Sequence, residues 1–161
     1  MTSHAPPGYE CPFCRYVGGG EDDWVRQSHV VERTASTWTF VSPTWWANNP
    51  GHVLVVPVDH VENLYAMPDR LGGPLLGATR RAALALKAAY GCPGTSLRQH
   101  NEPAGNQDVW HYHVHVFPRY DREELYGAPS RRAEWAEMDR YAERLRPAYA
   151  QLGSGEPTAV S

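Results

Sequence analysis

Three cysteines in 161 residues are too few for a disulfide scaffold, so the fold has to rest on an apolar core, which a chain of this length can build. No apolar run approaches the roughly 20 residues that a membrane-crossing helix requires, and no internal repeat of useful length is present. Met1 to Tyr9 lacks the basic and apolar segments of a signal peptide, and the expectation is a cytoplasmic protein. An excess of one charge is missing as well. A formal net charge of −3 gives no positive field for nucleic acid or a membrane surface, and a hydrophobic content of 42% excludes a wholly disordered chain. An anionic ligand would therefore be held by local donors.

What is present reads as one domain, residues 10–152, between two loose tails, residues 1–9 and 153–161. Val17 to Asp23 is a Gly-rich and acidic loop. Ser28 to Thr34 and Thr37 to Val41 read as a hairpin, Asn48-Asn49-Pro50-Gly51 as a turn, and His52 to Val56, closed by Pro57, as a buried strand. Val61 to Met67 suits a short helix. Leu76, Ala83, Leu84, Leu86, Lys87 and Tyr90 recur at helical spacing, predicting a helix from Leu75 to Tyr90 that Gly91 stops. Strands over Thr95 to His100 and Trp110 to Pro118 flank a polar loop, Asn101 to Gln107, and a helix over Arg131 to Leu145 follows. Grouped antiparallel strands with helices set among them predict an α+β domain with one long central helix and a C-terminal helix.

The feature with the most chemistry is His111-Tyr112-His113-Val114-His115. Strand alternation sets the three imidazoles on one face, about 6.5 Å apart along the row, with Tyr112, Val114 and Val116 on the other. Desolvating three such rings side by side is costly unless each finds a partner. Imidazole is a zinc ligand and also a phosphorus nucleophile, so residue type alone leaves both open. The loop before the row, with Asn101, Gly105, Asn106 and Gln107, offers amide donors and flexible backbone, and no carboxylate pair with metal-ligand spacing accompanies it. That favours oxyanion anchoring over a catalytic metal. Cys11 and Cys14, in Cys-x-x-Cys spacing, read as half of a metal site or as a redox pair. Cys92 reads as a small loop residue.

Asn101 to Gln107, Val109 and His111 to Pro118 resemble the signature of the histidine triad superfamily of nucleotide hydrolases and transferases. Pro50 to Pro57 with His60, Glu62 and Asn63, and the Cys11-Pro12-Phe13-Cys14 start, extend the similarity to its bacterial zinc-containing members. The resemblance implies His113 as the nucleophile at an α-phosphorus, forming a covalent nucleotidyl-histidine. It implies His115 and His52 beside the phosphate, and Gln107 and Asn101 contacting phosphate oxygens or ordering the loop. It also implies a closed structural Zn²⁺ on Cys11, Cys14, His60 and His111, no catalytic cofactor, and a homodimer. Implied substrates are a nucleotide-like ester, phosphoanhydride or phosphoramidate, such as a dinucleoside polyphosphate or an adenosine phosphoramidate. The alternative from another class is a non-catalytic nucleotide- or partner-binding module.

Two departures stand out. Asp108 replaces the family's Ser or Thr after the glutamine; ionised it repels phosphate, protonated it serves a leaving group, and the favoured reading has it turned away to a local backbone amide. Ser42 stands near the family's acidic ribose-binding position, and the added residues bring Trp45 and Trp46, read as loop anchors before nucleobase platforms. His100 reads as a strand-end residue, and Arg119, Arg131 and Arg132 as within reach of a polyphosphate.

Overall fold

The computed structural model describes residues 3–127 and 129–153. A five-stranded antiparallel sheet carries the fold: β1 Val30–Arg33, β2 Thr37–Val41, β4 Val53–Pro57, β5 Gly94–Gln99 and β6 Val114–Arg119, in the order β1-β2-β4-β6-β5. A second ribbon pairs β3 Thr44–Trp46 with β7 Ser130–Arg132. The helices are α1 Pro12–Val17, α2 Asp69–Tyr90 and α3 Trp135–Gln151. None of the described helices is long and apolar enough to cross a membrane. The expected α+β architecture is what the chain adopts.

β4, all apolar and buried, is the central strand, paired with β2 on one edge and β6 on the other. α2 lies across β4 and β6 and against α3, and closes that side of the sheet with Leu71, Leu75, Ala78, Ala82, Ala85 and Leu86. The helix starts six residues before the expected Leu75, so that Pro74 sits inside it. Burial of Leu71 offsets the hydrogen bond that Pro74 cannot make. The buried stripe also differs from the expected one: Leu76 is 70% exposed and Leu84 faces outward. Gly91 ends α2 at φ +68°, donating to the Lys87 carbonyl.

Three other expectations change. β6 begins at Val114, not Trp110, because its partner β4 ends at Pro57, which has no N–H for the ladder; Tyr112 donates to the Val61 carbonyl instead. Arg131 and Arg132, expected to open the last helix, form β7 against Trp45 and Thr44, and α3 starts at Trp135. Residues 3–9, expected loose, are docked: Ser3 and the His4 amide bond Glu62, and the Tyr9 hydroxyl accepts from the Trp110 amide at 3.1 Å. The tail expected over residues 153–161 lies outside the described residues beyond Gly153.

The turn before β4 positions the first histidine of the site. Gly51 has φ +74°, its carbonyl accepts from the Tyr90 hydroxyl at 3.1 Å, and the Tyr141 ring occupies the space where a Cβ would stand. Gly51→Ala is expected to cost about 2–4 kcal/mol, from left-handed backbone strain and overlap with Tyr141. Denaturant unfolding will measure it; a cost under about 1 kcal/mol would show that the turn relaxes at little expense.

Candidate active site

One face of the sheet opens into a cavity of about 740 Å³. Strand register decides who lines it. Leu54 and Arg98 lie directly opposite His115 on the two flanking strands, and all three share this face. His113, at the entrance to β6, and His100, two residues after Arg98, join them. Phe13, Tyr16, Trp24, Ser42 and Trp46 supply walls from α1, the following loop and the β3 ribbon.

His113 is buried to 3% exposure, and its Nδ1 lies 2.8 Å from the His111 carbonyl. A carbonyl only accepts, so Nδ1 carries the proton and the Nε2 lone pair is the one left for the cavity. Burial, opposed by the His111 carbonyl and by Asp108, holds this imidazole below its ordinary range, in the neutral form a nucleophile needs. The Phe13 ring packs edge-on against it, with centroids 5.3 Å apart.

His52 and His115 form a linked pair, with Nε2 of the first 3.2 Å from Nδ1 of the second. They share one proton, and desolvation pushes His52 down to about 3 and His115 well below its usual value. Phe117 stacks on His52 at 4.3 Å and is parallel to His115. The pair thus braces the floor of the cavity beside His113.

The loop amides stand elsewhere than the sequence suggests. Gln107 is buried, its carbonyl oxygen accepting from the Glu102 amide and its Nε2 donating to the Glu62 and Val109 carbonyls. Asn101 accepts from the Leu64 amide and exchanges bonds with Gln99. Neither lines the cavity. Their amides are spent on holding the loop, which leaves Asn106, at φ +63°, as the loop amide that reaches the cavity. Asp108 is not turned to a local amide: its exposed carboxylate stands 3.7 Å from His113 Nε2. Ser42 is buried at the cavity wall and bonds the Thr44 carbonyl. Trp45 is a core anchor against Tyr141, whereas Trp46 faces the cavity. Arg131 is paired with Glu137, Arg119 with Glu123, and Arg132 bonds the Asp23 carbonyl, so none of the three serves the cavity.

Phe13 and Arg98 were missed from sequence. A signal existed for Arg98, since alternation in the expected strand Thr95 to His100 places it on the face of His100. None existed for Phe13, which reaches His113 through tertiary packing.

Behind Phe13, the donor atoms of Cys11, Cys14, His60 and His111 lie within 4.8 Å of one another. His111 Nδ1 is 3.3 Å from Cys11 Sγ and 3.6 Å from Cys14 Sγ, and His60 Nδ1 is 3.2 Å from Cys14 Sγ. Those spacings fit the edges of a tetrahedral Zn–N/Zn–S site, about 3.6 Å from bond lengths of about 2.3 and 2.0–2.1 Å. His111 Nε2 donates to the Pro57 carbonyl at 3.1 Å, fixing the tautomer that aims the Nδ1 lone pair at the sulfurs. Burial, then the neighbouring Cys11, pushes the Cys14 thiol up to about 12, a penalty that a cation between the sulfurs removes.

The buried histidines also set acid stability. Between pH 6.5 and about 3 an unfolded chain protonates His52 while the folded chain does not. Stability is therefore complete above pH 6.5 and lost as pH falls through that window, by up to about 1.4 kcal/mol per pH unit for one such group. Urea unfolding from pH 7 to 5 should show a shallower loss for His52→Asn than for the wild type; parallel slopes would mean that His52 is protonated in the fold.

Residues 27–122 match the HIT domain. The Bacillus subtilis protein named hit is 35% identical over 78 residues, spanning 48% of this chain and 54%, about half, of that relative. An adenosine 5'-monophosphoramidase of Candida albicans is 26% identical over 158 residues, covering 94% of this chain and 97% of its own. In fold, a Zn-bound histidine triad family protein from Mycobacterium smegmatis superimposes with a TM-score of 0.75 at 24% identity, over 91% of this chain and 98% of that one. A HIT domain match over more than half of the residues, on the matching fold, establishes that the chain belongs to the HIT, or histidine triad, family.

Proposed function

We propose that the protein is a nucleotide hydrolase or nucleotidyl transferase that cleaves a phosphoanhydride or phosphoramidate bond at the α-phosphorus through His113. The observation that carries this reading is the hydrogen bond from His113 Nδ1 to the His111 carbonyl, which leaves a neutral Nε2 lone pair at the cavity. That lone pair attacks phosphorus as the bond to the leaving oxygen or nitrogen breaks. The leaving group departs with the bonding electrons and, where it is an amine, with a proton from solvent. Water or another acceptor then displaces His113 from the nucleotidyl-histidine, losing its own proton, and the neutral ring returns. A cavity of about 740 Å³ suits a nucleotide. The similarity to an adenosine 5'-monophosphoramidase supports the phosphoramidate end of this range.

Four residues, Cys11, Cys14, His60 and His111, would hold a structural Zn²⁺ with no open position, in keeping with the Zn-bound relative. Such an ion supplies folding energy. With Cys11 and Cys14 flanking Phe13, the site would also fix the wall against which His113 packs. The three free cysteines suit the reducing cytoplasm. A homodimer has a candidate face beside the edge strand β5, where Leu97 shares a groove with Leu64 and with Leu76 of α2, the three being 56%, 50% and 70% exposed. Sedimentation should give twice the 18.0 kDa chain mass, and Leu97→Glu with Leu76→Glu should return the monomer; a monomeric wild type would exclude this face.

Incubation with diadenosine tetraphosphate or adenosine phosphoramidate should release AMP, and His113→Asn should reduce the rate by on the order of 10³-fold or more. Mass spectrometry of quenched wild type should find adenylate on His113. AMP bound but never released from either substrate would instead identify a nucleotide-binding module, the outcome that Asp108 beside Nε2 favours. Elemental analysis should find one zinc per chain, and its removal should lower the unfolding midpoint by on the order of 10 °C. Activity lost before the fold is lost would count against a purely structural ion.

A further inference from the structure

The cavity has to hold an anion with few fixed positive charges. His52 and His115 are held neutral by burial and so bring no full positive charge, and the amides of Gln107 and Asn101 are committed to the loop. Two arginines line the space. Arg15 is paired with Glu10 at 3.0 Å and is spoken for. Arg98 differs: among the described residues no carboxylate lies within ion-pair distance of it.

Arg98 is also held in place. Its guanidinium lies 5.0 Å from the Trp46 ring centroid, 5.4 Å from Phe117 and 5.1 Å from Tyr126, and one Nη donates to the Tyr126 hydroxyl. Its Nε is buried without a hydrogen-bond partner. Aromatic faces attract the cation without neutralising it, and a neutral hydroxyl does not cancel its charge. Asp108, beside His113 Nε2, carries a carboxylate that repels an incoming anion. The cavity lining thus holds this carboxylate next to His113 and the Arg98 guanidinium on β5, opposite His115 in register.

From this arrangement we propose that Arg98 is the anion seat of the site, donating from its unpaired guanidinium N–H groups to the non-bridging oxygens of the phosphoryl group that His113 attacks. The role deepens the nucleotidyl reading above and rests on it for the identity of the ligand, though not for the charge. Held there, the phosphoryl group is drawn away from Asp108, and the charge developing on its oxygens is met by a positioned donor. A substrate must then present an anionic phosphoryl group to Arg98, while Asp108 admits a neutral or cationic leaving group more readily than an anionic one.

Calorimetric titration of the wild type, Arg98→Met and Arg98→Lys with AMP, adenosine and inorganic phosphate tests this. Arg98→Met should bind AMP and phosphate roughly tenfold to a hundredfold more weakly, with adenosine binding unchanged or absent in both proteins. Arg98→Lys should recover part of the loss. Undiminished AMP and phosphate binding by Arg98→Met would overturn the proposal, as would an equal loss for adenosine, which would reveal a packing role under Trp46. If the wild type binds phosphate through Arg98 but not AMP, the anion seat stands and the nucleotide reading falls. If it binds neither, both fall.

Discussion

The His111 peptide carries two separate duties on which the site depends. Its ring faces two thiols with one nitrogen and the Pro57 carbonyl with the other, so it is locked between α1 and the end of β4. Its carbonyl accepts the hydrogen bond from His113 Nδ1. The cluster that clips the N-terminal segment to the sheet and the bond that chooses the His113 tautomer consequently meet in one residue. The same clip seats Phe13 against both rings. A change that loosened the cysteines would act on His113 through backbone geometry.

Desolvation then does the electrostatic work. Four imidazoles, His52, His111, His113 and His115, are buried deeply enough that their charged forms are disfavoured. Neutral imidazole is the form able to act as a nucleophile, so burial prepares His113 for the role proposed above at the expense of any positive field from the rings. On the function proposed above, an anionic substrate would be met by arginine and backbone, and the cavity wall carries an aromatic-framed guanidinium where the sequence suggested amides.

The elements that depart from simple patterning do so for local reasons. The helix expected from Leu75 begins instead at Asp69, with Pro74 inside it, and the added turn buries Leu71. The row from His111 to Val116 looks like one strand, yet Pro57 cannot support its first residues, so His111 and Tyr112 lie in irregular chain before β6. Trp45 and Arg131 look like parts of a loop and a helix, but two segments far apart in sequence pair as a ribbon. Pairing across such a separation has no periodic signature in either segment alone.

By itself the sequence determined the α+β class, the alternation that gathers His113 and His115 on one face, and the spacing of Cys11, Cys14, His60 and His111. These are properties of residue type and short-range period, which the chain carries without its tertiary context. Only the tertiary structure decided which of the polar groups remain free. Gln107 and Asn101 are used up by neighbours at Glu62 and Leu64, Asp108 stands beside His113, and Arg98 lies between Trp46 and Tyr126 with no carboxylate partner among the described residues. Availability depends on every partner a folded chain brings near, and that is a long-range quantity no local pattern records.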